Sequence, residues 1–255
     1  TLYINRDTVN QAANLIHYCS FNNTPSFELS NAPLAVEGID TLQITIINTD
    51  SLYHTFTVNS ILETGNNIAA DDTATFQLEF GSNGTYRYYS DVSYGKYLGA
   101  SGNILVGYSS YIHFFWNLFE AKISLSDSIA RGLTSIVPNY YKPEVFTINN
   151  FIYPNTTFDP IGAVTGNVND SIIISIVNSG QMISPFHFHG YHVTILETTV
   201  HQKIIGWEKD TFPIFPGEAM TLLLVPDQPG MYPVHNHNLV TVATGAYPGG
   251  MITRL

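Results

Sequence analysis

The sequence predicts an all-β protein made of two β-sandwich domains in tandem. Three observations support this prediction. Short runs of residues alternate between apolar and polar side chains, Gly, Asn or Asp separates the runs, and the second half repeats the order of the first. The 255 residues suit one large or two small domains, and 44% of them are hydrophobic, which is enough for a sizeable core.

The first half contains five predicted strands. The first three show the period of two that places apolar side chains on one face of a sheet, and two further short runs follow them. The strands comprise residues 42–48, 53–58, 75–80, 85–89 and 103–106.

The second half repeats these five strands in the same order. They comprise residues 171–178, 186–196, 219–225, 230–235 and 249–253. Two copies of one sandwich are the simplest explanation of this order.

The two halves are separated by a stretch of different character. Residues 108–135 lack the alternation, and their composition is compatible with a helix. We therefore predict a first domain over residues 1–107, a connector with one or two helical turns over 108–141, and a second domain over 142–255.

The charge of the chain argues against two classes of partner. The formal net charge is −11, and Lys and Arg together number 9. Nucleic acids and anionic membrane surfaces require a basic face, so neither is an expected partner. No apolar run reaches the ~18 residues of a membrane span, so we also expect no membrane insertion.

The single cysteine, Cys19, excludes an intramolecular disulfide and any Cys-rich metal cluster. The composition is rich in Tyr, Asn, Thr and Gly, which favours an extracellular or periplasm-like protein whose signal peptide has been removed. Four glycosylation sequons fit this location, at Asn22, Asn83, Asn155 and Asn169.

Two pairs of histidines provide the strongest chemical signal. His187 and His189 lie in SPFHFHG, and His235 and His237 lie in PVHNHN. Residues i and i+2 of a strand point to the same face, so each pair places two imidazoles side by side. If both strands belong to one sandwich, the four rings converge on a site suited to copper, zinc, iron or nickel. The alternative interpretation is that these histidines are surface residues or hydrogen-bonded core residues. The presence of two matched H-x-H pairs argues against this alternative.

These motifs resemble the last domain of multicopper oxidases. The run 143–251 contains PEVFTINNF, SIIISIVNSG, SPFHFHGYHVTIL, KDTFPIFPGEAMTLLL and DQPGMYPVHNHN followed by GGM, in the order of that family. The first half resembles a cupredoxin domain more loosely, through LYHTFTVNS and GTYRYYSDVSYGKYLGASGNILV. The chain therefore looks like a two-domain multicopper oxidase or copper nitrite reductase. This resemblance implies two tandem cupredoxin-like Greek-key sandwiches.

The resemblance also shows where the chain departs from the family. The family's motifs read H-P-x-H-x-H-G and H-C-H-x-x-x-H, and the Cys thiolate defines the blue (type 1) copper site. The aligned type 1 positions of the second domain hold Ser184, Asn236 and Thr241. In the first domain His54 is kept, but the other aligned positions hold Ser90, Gly95 and Ala100. We therefore expect both blue sites to be lost and His54 to be a packed histidine.

The family's trinuclear copper cluster takes eight histidines from four H-x-H pairs. The two pairs of the second domain survive, whereas the resemblance aligns the other two with Thr57 and Asn59, and with Tyr89 and Asp91. What remains cannot hold three coppers.

In two-domain members the cluster lies between domain 1 of one subunit and domain 2 of the next, in a homotrimer. If this assembly carries over, Asp91 of one subunit faces His189 and His235 of its neighbour. Two histidines and a carboxylate suit Fe(II), Zn(II) or type 2 Cu(II). Tyr89 would then lie near His237, and Thr57 near His187.

Two alternatives remain open for this site. Asp91 is also compatible with an ordinary solvated loop, and a mononuclear site made from three or four second-domain histidines is a competing geometry.

The leading hypothesis is a metalloprotein with a mononuclear copper site at a subunit interface. Such a site would bind or convert a small molecule or anion, such as oxygen, superoxide, nitrite or another nitrogen oxide. Zinc and iron are the alternative metals. The competing functions are a zinc-loaded hydrolytic or structural site and a copper-binding protein without catalysis, so the sequence leaves open whether the protein is an enzyme.

Overall fold

The computed structural model describes residues 1–38, 41–63, 67–133 and 141–255. Strands dominate these residues and form four sheets, two in each half of the chain. The all-β prediction is therefore confirmed. None of the helices in the described part of the chain has the length and apolar character needed to cross a membrane.

The first half forms one sandwich of two four-stranded sheets. One sheet has the order β2-β1-β4-β6, and the other has the order β3-β8-β7-β5. Buried aromatic rings fill the space between them, with Phe21, Phe56 and Tyr88 in contact at centroid distances of 5.2–5.8 Å. The strands are β1 (Leu2–Gln11), β2 (Asn14–Asn22), β3 (Leu34–Val36), β4 (Thr41–Asn48), β5 (Thr57–Val58), β6 (Thr73–Glu79), β7 (Gly84–Tyr89) and β8 (Ser101–Val106).

The second half forms a larger sandwich. A six-stranded sheet of order β10-β9-β11-β16-β13-β14 faces a four-stranded sheet of order β15-β12-β17-β18. Trp116 of the first sheet stacks on Phe188 of the second at a centroid distance of 5.7 Å. The strands are β9 (Ile112–Ala121), β10 (Val145–Ile148), β11 (Ile172–Asn178), β12 (Ser184–Phe188), β13 (Val193–Thr198), β14 (Glu208–Lys209), β15 (Thr211–Ile214), β16 (Ala219–Leu224), β17 (Pro233–Asn236) and β18 (Ile252–Arg254).

The stretch predicted as a connector differs from the expectation. Its residues Ile112–Ala121 form β9, which pairs with β10 on one side and β11 on the other. Only Ile123–Ala130 is an α-helix, α1, and residues 134–140 lie outside the described residues. The aromatic run has a composition compatible with a helix, but it forms a strand. Pairing with β10 and β11 satisfies its backbone hydrogen bonds, and aromatic side chains fit a pleated sheet.

The two sandwiches meet through a packed interface. Its apolar part is a buried cluster of Leu105, Phe115 and Ile173. Beside it the Thr85 hydroxyl lies 3.1 Å from Ser175 Oγ and 2.9 Å from Thr221 Oγ1, and all three side chains are buried. Because these hydroxyls satisfy one another, polar groups are buried between the domains without losing hydrogen bonds.

Candidate metal centre

Both H-x-H motifs lie on neighbouring antiparallel strands of the second domain. In the register of β12 and β17, His187 stands directly opposite His235. The residues between the paired histidines, Phe188 and Asn236, are buried, as are Phe186 and Val234, which precede each motif. Since successive side chains of a strand point to opposite faces, core packing of these residues turns the histidines outwards.

The four imidazoles form one cluster, which we call the histidine patch: His187, His189, His235 and His237. The ring centroids of His187 lie 4.6 Å from His189, 5.7 Å from His235 and 5.6 Å from His237. The rings of His189 and His235 are 5.1 Å apart, and those of His235 and His237 are 5.9 Å apart. The structure thus brings together all four histidines singled out from the sequence.

Hydrogen bonds orient two of these rings. His235 Nδ1 lies 3.0 Å from the carbonyl oxygen of Asn236. His187 Nδ1 lies 2.7 Å from Thr211 Oγ1 and 3.2 Å from the carbonyl oxygen of Asp210. A carbonyl only accepts, so Nδ1 of His235 carries the proton and its Nε2 keeps a lone pair. This is the tautomer that a metal-binding histidine presents, with its second nitrogen held by a backbone carbonyl.

The closest approach within the histidine patch joins two nitrogen atoms. Nε2 of His189 lies 3.0 Å from Nε2 of His235. Two imidazole nitrogens at this distance share either a proton or a cation. Within the residues that the structure describes, no three histidines of the patch bring ligand atoms within 4.8 Å of one another. A single chain therefore offers a ligand pair, and a complete coordination sphere needs further donors.

The histidine patch lies at the surface, beside a groove of about 580 Å³ that His189 and His235 help to line. Large apolar side chains are exposed around this groove, with Leu239 and Tyr247 each 76% and Met231 69% exposed. Partial burial and the charges of the other three histidines lower the pKa of His189 below its ordinary value. A neutral imidazole is the form that binds a metal, so the cluster favours ligation over protonation.

Comparison with known proteins identifies a related family. Residues 134–248 match the family model of multicopper oxidases. The resemblance predicted from the sequence is thereby confirmed. No curated protein matches the chain.

Solved structures extend the likeness to both domains. The multicopper oxidase mgLAC has a TM-score of 0.79 at 20% identity, over 100% of this chain and 84% of that one. The blue copper oxidase from Nitrosomonas europaea has the same TM-score and identity, over 99% and 83% of the two chains. A copper-containing nitrite reductase from Thermus scotoductus SA-01 has a TM-score of 0.71 at 18% identity, over 100% and 60%. At these identities the likeness shows a shared two-domain cupredoxin fold.

The type 1 copper positions of the first domain lie together in the fold. A Cβ on Gly95 would lie 2.9 Å from the Ser90 side chain, and Ser90 donates its backbone N–H to Ala100. Ser90 Oγ lies 3.1 Å from His54 Nδ1. The positions that the motif resemblance aligns with a blue copper site are thus adjacent here, and they carry no thiolate. A type 1 copper does not fit them.

The second domain shows the same loss. Asn236, aligned with the family's thiolate, donates a hydrogen bond from its amide to the sulfur of Met251 over 3.4 Å. The backbone N–H of Met251 in turn donates to the Thr241 carbonyl. Both Asn236 and Thr241 are buried, as is Ser184. None of these three side chains is a thiolate or an imidazole, so they do not fit a blue copper ion.

Asp91 takes part in a different contact from the one expected for a ligand. It precedes the 3-10 helix Val92–Leu98, and its Oδ1 forms an ion pair with Lys96 Nζ at 2.7 Å. Its backbone N–H donates to Thr55 Oγ1. The carboxylate is partly exposed, at 42% of its side chain. Within the described part of one chain, the contacts of Asp91 involve no histidine of the patch.

The other three first-domain candidates also have local partners. Thr57 is buried and pairs with Tyr89 between β5 and β7. The ring of Tyr89 lies under the Arg87 guanidinium at 4.5 Å. Asn59 donates its amide to the carbonyl of Gly217 over 3.4 Å. The structure thus holds these residues at the domain surface and interface rather than beside the histidines of the same chain.

Sequence reasoning missed a second group of potential ligands. His54 Nε2 lies 2.8 Å from Asp50 Oδ2 and 4.0 Å from Cys19 Sγ, and all three residues are buried. Burial raises the pKa of the Cys19 thiol. Burial alone would also raise the pKa of Asp50, but a hydrogen bond from His54 and the charges of His54 and Arg6 lower it overall. The only signal in the sequence is His54 itself, since Cys19 belongs to a distant strand.

Proposed function

We propose that this protein is a multicopper-oxidase-like metalloprotein whose histidine patch holds one copper ion at a subunit interface. There it binds or converts a small molecule such as oxygen, superoxide or a nitrogen oxide. One observation carries the proposal: Nε2 of His189 lies 3.0 Å from Nε2 of His235 on an exposed face of the second domain.

The imidazole nitrogens of the histidine patch suit copper and related transition metals. His235 presents an Nε2 lone pair because its Nδ1 atom donates to a carbonyl oxygen. Imidazole nitrogen is a good ligand for copper, zinc and iron. A copper bound here in the type 2 manner would supply an open position for a small anion and would polarise it. The protein supplies the orientation of the rings and the apolar wall of the groove.

The residues at the positions aligned with type 1 copper sites limit the reactions that we propose for this protein. Since Asn236 and Ser90 stand where a thiolate would be needed, the residues present provide no blue copper for passing electrons to the histidine patch. The proposal therefore concerns chemistry in which the small molecule reaches the patch directly.

The remaining ligand is proposed to come from a neighbouring subunit of a homotrimer. The exposed groove, the exposed Leu239 and Met231, and the incomplete ligand set within one chain support this assembly. Asp91 is the proposed donor, and it would exchange its ion pair with Lys96 for the metal. Tyr89, Thr57 and Asn59 would then lie near the bound molecule. We further propose an extracellular or periplasm-like location.

The test is metal content per chain together with electron paramagnetic resonance, on protein purified without added metal. We expect about one copper per chain with a type 2 spectrum and no intense blue band. The double variant His189→Gln/His235→Gln should lose this copper. The variant His201→Gln, which removes a half-exposed histidine outside the patch, should keep it.

Two results would overturn the copper proposal. Copper retained in full by the double variant would place the metal elsewhere. Zinc at one per chain, held through dialysis and lost in the double variant, would replace the redox proposal by a hydrolytic or structural one.

A further inference from the structure

We propose a second metal site, buried in the first domain, in which Cys19 Sγ, Asp50 Oδ2 and His54 Nε2 bind a zinc-class divalent cation. This site is separate from the histidine patch. It uses three residues from two different parts of the chain: Cys19 on β2, and Asp50 and His54 in the segment that follows β4.

The three ligand atoms already lie close together, all within 4.8 Å of one another. Zinc binds sulfur at about 2.3 Å and nitrogen or oxygen at about 2.0–2.2 Å, so tetrahedral ligands lie roughly 3.4–3.6 Å apart. The observed separations are 2.8 Å between Asp50 Oδ2 and His54 Nε2, and 4.0 Å between Cys19 Sγ and His54 Nε2. Side-chain shifts of about half an ångström would bring both to the tetrahedral value.

His54 and Asp50 each have a second polar atom, besides the proposed ligand atom, and a neighbouring residue holds that second atom in place. His54 Nδ1 lies 3.1 Å from Ser90 Oγ, which leaves Nε2 for the cation. Asp50 Oδ1 forms an ion pair with Arg6 at 3.0 Å and accepts the backbone N–H of Ser51, which leaves Oδ2. Supporting contacts of this kind fix the orientation of metal ligands in proteins.

The Ser90 hydroxyl allows the proton shift that binding requires. Without a cation, His54 Nε2–H donates to Asp50, and Nδ1 accepts from the Ser90 hydroxyl. With a cation, Nδ1–H donates to Ser90 Oγ, and Nε2 uses its lone pair for the metal. Cys19 releases its thiol proton to solvent, and the thiolate with the Asp50 carboxylate balances the two positive charges of the ion. The hydroxyl can play both roles because it is donor and acceptor at once.

The surroundings favour a structural role for this ion. Cys19, Asp50 and His54 are at most 7% exposed, and Cys19 belongs to the apolar core of the first domain. A cation here would join β2 to the segment that follows β4. Since binding to the folded state alone stabilises it, the metal should raise the resistance of the first domain to unfolding.

The experiment uses Co(II) as a spectroscopic substitute for zinc in the full chain. The four histidines of the patch are first replaced by Gln, so that only the buried site remains. Because Cys19 is the single cysteine, any thiolate-to-cobalt charge-transfer band in the near ultraviolet reports on this residue alone. Co(II) is added both to folded protein and during refolding, since the site is buried.

We expect about one equivalent of Co(II) with a charge-transfer band, and a higher midpoint of unfolding in its presence. Cys19→Ser should abolish the band, and Asp50→Asn should weaken binding about tenfold or more. Restoring the histidine patch should add bound cobalt without increasing the band.

Absence of the band after both loading procedures, or its persistence in Cys19→Ser, would overturn the proposal. If Cys19→Ser does not fold, the band in the parent protein and its weakening in Asp50→Asn decide the question.

Discussion

The amide of Asn236 donates a hydrogen bond to the sulfur of Met251 inside the second domain, over 3.4 Å. By the motif resemblance, Asn236 stands where multicopper oxidases carry the thiolate of the blue copper site. A residue at this position therefore already contacts the sulfur of Met251, and this relationship suggests that a thiolate placed here would complete a copper site.

The triple variant Ser184→His/Asn236→Cys/Thr241→His should recover a blue copper site. It supplies two imidazoles and a thiolate next to the retained Met251, which is the ligand set of such a site. Copper loading should give an intense visible band that the wild-type protein lacks. Asn236→Ser in the same two-histidine background is the matched control and should stay colourless. A folded, copper-loaded triple variant without the band would show that the aligned positions do not converge.

Glu120 should make the stability of the protein depend on pH. Burial raises its pKa from 4.5 to about 7, partly offset by hydrogen bonds from the backbone of Gln181 and Met182. Between these pH values the folded protein keeps a proton that the unfolded chain releases. The free energy of unfolding should therefore fall by about 3 kcal/mol as pH rises from 4.5 to 7, since one pKa unit corresponds to about 1.4 kcal/mol.

Glu120→Gln should remove most of this pH dependence, because the amide stays neutral. The measurement is urea unfolding at several pH values, and Glu79→Gln on the exposed end of β6 is the control. An equal pH profile for wild type and Glu120→Gln would contradict the assignment.

Thr85→Val should weaken the interface between the domains. The substitution leaves the buried Thr221 hydroxyl without the partner that lies 2.9 Å away in the wild type, whereas Ser175 Oγ keeps the hydrogen bond from the Asn103 amide at 3.2 Å. We expect a loss of about 2 kcal/mol in the free energy of unfolding, the cost of leaving a buried polar group unsatisfied. Thr75→Val removes a similar hydroxyl contact, to Thr45, at an exposed position and should change stability by less than about 0.5 kcal/mol. Equal effects of the two variants would be inconsistent with a role for Thr85 in the interface.

Leu239→Asp tests the proposed subunit interface. Leu239 is 76% exposed beside the groove, and a carboxylate there would oppose burial against another subunit. Light scattering should show a trimer for the wild type and a 28.2 kDa monomer for the variant. Leu15→Asp, at a 65% exposed apolar position on β2, should leave the trimer intact. A monomeric wild type with metal bound would contradict the interface itself.

Local patterns in the sequence were sufficient for most strands and for the histidine patch. The alternation in 171–178 and 219–225 predicts β11 and β16, because the period of two is a local property. The same property places His187 with His189, and His235 with His237, on one face of the sheet.

Three features could not be predicted, because each depends on a contact that forms only in the folded chain. β9 is a strand since it pairs with β10 and β11, of which the nearer begins 24 residues after the end of β9. The approach of Cys19 to His54 joins residues 35 positions apart in the sequence, and no local motif marks it. The ion pair of Asp91 with Lys96 depends on the turn that the 3-10 helix makes between them.

The alternation of Phe186 and Phe188 with His187 and His189 has a consequence for how this protein could change over evolution. A slip of one residue in β12 would bury imidazoles and expose phenylalanines, so folding itself fixes the spacing of the histidines. The chelating geometry is thus a by-product of core packing and persists without selection for a metal. The scaffold therefore carries an ordered set of donors, on which a few surface substitutions could establish a new metal chemistry.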